Sequence, residues 1–148
     1  VYMLVVIVIS GLILNRTKFG RNIYAVGDNK QAASYSGINS RRVTMTVFVI
    51  MGIFASCAGI LSSARTFSAQ FNVGEGSEMD AISAVVLGGT SMSGGVGRLS
   101  GTIIGCIVIG VLNNGMNILG IDSSWQYVVK GVVVLIAVFI DYIKKMKD

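Results

Sequence analysis

The sequence predicts an all-α, polytopic membrane protein. Three observations predict it: apolar runs close to membrane-crossing length, charges confined to the intervals between them, and basic residues gathered on alternate intervals. Of the 148 residues, 53% are hydrophobic and 13% charged, whereas an ordinary soluble domain carries about 25% charged residues. The net charge of +5 would suit nucleic acid as a partner, but the placement of the basic residues argues against it. The basic residues do not share one face; they border apolar runs, where the positive-inside rule puts them.

The first run, residues 1–14 (VYMLVVIVISGLIL), starts without an initiator Met, a basic n-region or a small-residue cleavage site, so it does not read as a signal peptide. It is shorter than the roughly 20 residues a crossing needs, so the chain is expected to be the C-terminal part of a longer protein. A polar interval, 15–42, follows and carries Arg16, Lys18, Arg21, Lys30, Arg41 and Arg42. Its centre predicts a short helix over 29–36. Asp28 is placed to cap it, Gln31 to reach back to the cap, and Gly37 with Ile38 to close it in a Schellman-type stop. Ala32, Ala33 and Ser36 would offer a small-residue surface to another protein; a solvated helix that merely joins two spans is the alternative.

Residues 43–64 are long enough to span, with Gly52, Ala55, Ser56 and Gly59 at helical spacing for close packing. The interval 65–80 holds Glu75, Glu78 and Asp80 against Arg65 alone. Residues 78–95 are apolar from Ala81 to Leu87 and then broken by Gly88, Gly89, Gly94 and Gly95. They read either as a glycine-broken crossing or as a re-entrant half-helix. Residues 101–119 form a span containing Gly101 and Gly105, and 125–140 form another opened by Trp125 and Tyr127 at an interface. The tail brings Lys144, Lys145 and Lys147. If the 15–42 interval and this tail are both cytoplasmic, an even number of crossings separates them, which makes 78–95 the fourth and puts Arg98 inside. Lys130, about one turn into the last span, is expected to snorkel outward. One transmembrane domain of about five spans results, given about 20 residues per crossing.

Chemistry inside such a bundle is limited by what is missing. There is no His, and no Asp or Glu lies mid-span, so the groups of proton-coupled carriers are absent from this part. Cys57 and Cys106 read as free, packed thiols, with neither a disulfide nor a metal site implied. No catalytic residue and no enzyme activity is expected. The cluster Gly88, Gly89, Thr90 lacks the GxxxxGK[ST] lysine, so no ATP site is read there. It is either a broken helix beside a passage or a tight packing turn. Asn113 and Asn117 share a helix face that Asn114 borders. Their amides both donate and accept, which suits sugar hydroxyls, and equally suits ties between helices.

NKQAASYSGI resembles the EAAxxxG signature in the cytoplasmic loop of permease subunits of ATP-binding-cassette importers, with Gln31 in place of the Glu, then Ala32, Ala33 and Gly37. The wider strings FGRNIYAVGDNKQAASYSGIN, SEMDAISAVVLGGTSMSGGVGRLSGTIIG, VLNNGMNILGI and WQYVVKGVVVLIAVFID resemble the C-terminal half of the ribose, xylose and galactoside permease family. The resemblance covers almost the whole chain, in order. It implies that the 29–36 helix is a coupling helix seated in a groove of an ATP-binding subunit, and that the spans are the second half of roughly ten. Gln for Glu removes a charge from that contact. It also implies a permease homodimer, an extracytoplasmic sugar-binding protein, a bacterial inner-membrane location, and ATP held by the partner rather than by this chain. The function expected is monosaccharide import. The alternative is a truncated membrane scaffold or anchor that binds a cytoplasmic partner and transports nothing.

Overall fold

The structure, a computed structural model, describes residues 2–67 and 74–147, with the side chains of 140, 141 and 144–147 excluded. Part of the acidic interval, 68–73, and the side chains of Lys144, Lys145 and Lys147 therefore lie outside the described residues. Among the described residues seven helices follow in order: α1 (Tyr2–Arg16), α2 (Lys18–Asp28), α3 (Lys30–Tyr35), α4 (Ser40–Thr66), α5 (Ser77–Leu87), α6 (Leu99–Ile118) and α7 (Ser123–Lys147). Among the described residues there is no strand.

Two helices, α4 and α6, are each long and apolar enough to cross a membrane, and α1 with α2 makes a third only if the 73° bend between them is counted within one span. The bend falls at Thr17, whose hydroxyl accepts from Gly20 N at 3.1 Å and starts a new helix. Gly20 has no side chain to clash with the carbonyls of Ile13 and Leu14, which it approaches closely. The first expected span thus coincides with α1 and the second lies within α4. The stretch expected to cross at 78–95 is helical only through Leu87, and the apolar part of α7 runs Ser123–Phe139.

Two packed clusters sit at opposite sides of this arrangement. In one, Val26 of α2, Ala33 of α3 and Val43 of α4 are buried together, with Phe19, Ile23 and Ile38 against them. In the other, α5 runs antiparallel along α6, Gly88 meeting Gly101 and Ala84 meeting Gly105, and α5 also packs on α7. A Cβ on Gly101 or Gly105 would overlap the carbonyl oxygens of Gly88 and Ala84, so glycine is what permits this approach. Elsewhere the apolar side chains face outward: Phe48, Met51 and Ile60 of α4 and Ile104, Ile107 and Val111 of α6 are exposed. For a helix in lipid that is the favourable arrangement, since the solvent is hydrocarbon. Cys57 and Cys106 are free but exposed rather than packed.

Candidate functional site

The short helix α3 is held at both ends by its own residues. Asn29, not Asp28, is the cap: its Oδ1 accepts from Gln31 N at 2.9 Å and Ala32 N at 3.0 Å. Asp28 instead closes α2, because Asn29 is extended (φ −148°, ψ 107°) and ends one helix while starting the next. At the other end Ile38 N donates to Ala33 O and Gly37 N to Ser34 O, both at 3.0 Å, with Gly37 at φ +82°. This is the Schellman stop the sequence predicts. The helix is one turn and a half, Lys30–Tyr35, shorter than expected. Its surface also differs from expectation, because Ala33 turns inward to the Val26 and Val43 cluster while Gln31, Ala32, Tyr35, Ser36 and Gly37 stay exposed. The small residue at 33 lets α3 lie close against α2 and α4.

Immediately before α3, the end of α2 is seated on the glycine-rich loop between α5 and α6. A Cβ on Gly27 would come within 2.9 Å of Gly95 N, and one on Gly94 would overlap the Gly27 carbonyl. Gly94 and Gly95 both have positive φ, 91° and 76°, which only glycine adopts without strain. Tyr24 Oη donates to the Gly97 carbonyl at 3.1 Å in the same contact. A cavity of about 300 Å³ lies beside it, lined by Leu14, Tyr24, Gly27, Thr90, Arg98 and Thr102 among others. Arg98 and the end of α2 therefore lie beside the same cavity. The acidic start of α5 is at the far end of that helix, where Gly76 abuts the Tyr127 ring.

Gly88, Gly89 and Thr90 terminate α5. Gly89 N donates to Val86 O at 2.9 Å and Thr90 N to Val85 O at 3.2 Å, around Gly89 at φ +81°. The helix breaks because this second Schellman stop satisfies its last carbonyls. The asparagines lie further along α6, roughly 18 Å from Gly101 at 1.5 Å per residue. The structure thus brings Gly88, Gly89 and Thr90 together at one place and Asn113 and Asn117 at another. Asn113 Nδ2 donates to Asp80 Oδ2 at 2.8 Å, and Asn117 Oδ1 accepts from Gln126 Nε2 at 2.9 Å. Asn114 is exposed.

Sequence reasoning missed the partner of Asp80. Lys130 Nζ lies 2.6 Å from Asp80 Oδ1, with its side chain 10% exposed, and 5.6 Å from the centre of the Tyr127 ring. Lys130 does not snorkel outward; α5 lies against its face of α7 and supplies a carboxylate. The available signal was the pairing itself: two acids, Glu78 and Asp80, in the first turn of α5 and one lysine about two turns into α7.

A permease family model described as "Branched-chain amino acid transport system / permease component" matches residues 1–138. The chain belongs to that family. It is 50% identical over 139 residues to the ribose import permease protein RbsC of Bacillus subtilis (strain 168), covering 94% of this chain and 43% of that protein. It is 49% identical over 137 residues to RbsC of Escherichia coli (strain K12), covering 93% and 43%. It is 44% identical over 148 residues to the xylose transport system permease protein XylH of Haemophilus influenzae, covering 99% and 40%. This permease sequence therefore spans about two fifths of the length of the curated relatives it matches. No solved structure matches it.

Proposed function

We propose that this chain is the C-terminal part of the transmembrane permease subunit of an ATP-binding-cassette importer that brings a monosaccharide of the ribose or xylose class into the cytoplasm. The observation that carries the reading is the match, over 94–100% of this chain, to a ribose import permease and to xylose transport system permeases at 40–50% identity. The geometry supports a division of labour. The exposed side of α3 and its stop, with Gln31, Ala32 and Gly37, is the docking surface for a cytoplasmic ATP-binding subunit that holds the nucleotide, and Ala33 and Ile38 anchor that surface from behind. Displacement of α3 passes through Asn29 and Asp28 to Gly27, whose backbone rests on Gly94 and Gly95. From there it reaches the ends of α5 and α6.

The solute path in this reading runs past Gly88, Gly89 and Thr90 and toward Asn113, Asn114 and Asn117. A second permease copy and an extracytoplasmic sugar-binding protein complete the assembly in a bacterial inner membrane, with the α3 loop and the C-terminus cytoplasmic. The direct test is reconstitution of the full-length permease with its ATP-binding subunit and binding protein in liposomes. ATP-dependent entry of ribose or xylose is expected. Gly37→Leu, which strains the φ +82° position, should remove uptake without removing the protein from the membrane. Uptake that persists without ATP, or normal uptake by that variant, would overturn the reading.

A further inference from the structure

Asp80, Asn113 and Lys130 join three helices, α5, α6 and α7, at one point, and nothing in the import reading uses them as a unit. The helix they act on is α5, which at 11 residues is roughly 16 Å long, about half the hydrocarbon thickness. Its start has no side-chain cap, since Gly76 stands at the N-cap position. Two contacts fix it. The glycine approach of Gly88 and Ala84 to Gly101 and Gly105 sets its distance from α6. The Asp80 carboxylate sets its depth and rotation, one oxygen on Lys130 of α7 at 2.6 Å and the other on Asn113 of α6 at 2.8 Å.

We propose that Asp80 and Lys130 are positioning residues for transport: their ion pair, steadied by Asn113, sets the depth of α5 so that Gly88, Gly89 and Thr90 stand where the solute passes. The inference rests on the import reading. Its chemistry follows from the environment. Charges among membrane helices are retained where they pair and do work, and leaving either partner alone strands an uncompensated charge. The trio has no net charge, so it neither draws in a cation nor repels a neutral sugar. Asn113 accommodates either polarity, because its amide can turn and present oxygen instead of nitrogen. Its Oδ1 is buried and has no hydrogen-bond partner among the described residues, so reversed charges would find an acceptor in place.

The experiment compares Asp80→Asn, Lys130→Gln, the neutral pair D80N/K130Q and the reversed pair D80K/K130D in the full reconstituted transporter. Membrane content, uptake rate and KM are measured for each. Expected are a fall of about tenfold or more in maximal uptake for each single variant, from the loss of one partner, with little change in KM. The reversed pair should recover at least half of the loss, and the neutral pair should reach the membrane yet transport poorly. The proposal is overturned if the neutral pair transports like the unmodified protein, which would make the pair a packing feature only. It is equally overturned if the reversed pair reaches the membrane but transports no better than the single variants. Should the singles fail to accumulate, recovery of both membrane content and uptake by the reversed pair supports the proposal, and failure of that pair to accumulate overturns it. Failure of the import reading is separate, since the unmodified transporter would then show no ATP-dependent sugar entry.

Discussion

Replacing Gly105 by Ala adds one methyl group in the middle of α6, and the structure says where that methyl must go. It would overlap the Ala84 carbonyl oxygen and lie 3.1 Å from Gly88 N. Both are backbone atoms of α5 that cannot rotate aside, so the two helices must separate by roughly 1 Å. Overpacking of this kind costs about 1–3 kcal/mol, and a severe backbone overlap belongs at the upper end. Helix propensity returns about 1 kcal/mol for Gly to Ala, leaving a net loss of about 1–2 kcal/mol. Gly110, five residues along the same helix, has nothing within 4 Å of its would-be Cβ. The same substitution there should stabilise by up to about 1 kcal/mol. The two variants should then differ by about 2–3 kcal/mol, or about 5–10 °C in Tm for a domain of this size. Thermal unfolding of the purified protein in mild detergent measures the gap. If the two variants melt within about 2 °C of each other, the α5–α6 contact is not as close as described.

Asn29→Ala removes the acceptor for Gln31 N and Ala32 N and should cost about 1 kcal/mol of local stability. In the import reading this frays the docking helix and lowers uptake several-fold at unchanged membrane content, measured by transport in vesicles. Gly94→Val places a branched side chain at φ +91° against the Gly27 carbonyl and should separate α2 and α3 from the α5–α6 loop. The assay is ATP hydrolysis by the partner subunit alongside sugar uptake, with hydrolysis retained and uptake lost. Asp122 accepts from Ser124 N at 2.8 Å, and its hydrogen bonds to the Ser124 backbone and side chain hold its carboxyl below the usual carboxylate range. Because the folded value is depressed, its stabilising effect is present above the unfolded carboxylate pKa and disappears as pH falls through the folded one. An acid titration of α7 unfolding should therefore show a difference between the unmodified protein and Asp122→Asn at neutral pH that closes at low pH.

What the sequence determined by itself was whatever depends on neighbours along the chain. Hydrophobic length marked the runs within α4 and α6, and the Gly37–Ile38 pair marked the end of α3. These are local because a helix stop needs only its last turn, and a span needs only enough apolar residues to replace water with lipid. The tertiary structure decided the rest. Asn29 rather than Asp28 caps α3, since a helix the sequence reading did not foresee, α2, runs through Asp28 and leaves Asn29 extended. Ala33 faces inward because α2 and α4 converge on it, and no spacing within residues 29–36 distinguishes it from Ala32. Gly27 meets Gly94, and Asp80 meets Lys130, across 67 and 50 positions of chain. Contacts at such separations are chosen by helix packing: a glycine reads as flexible until another backbone lies on it, and a lysine near a membrane face reads as solvated until a carboxylate arrives to pair with it.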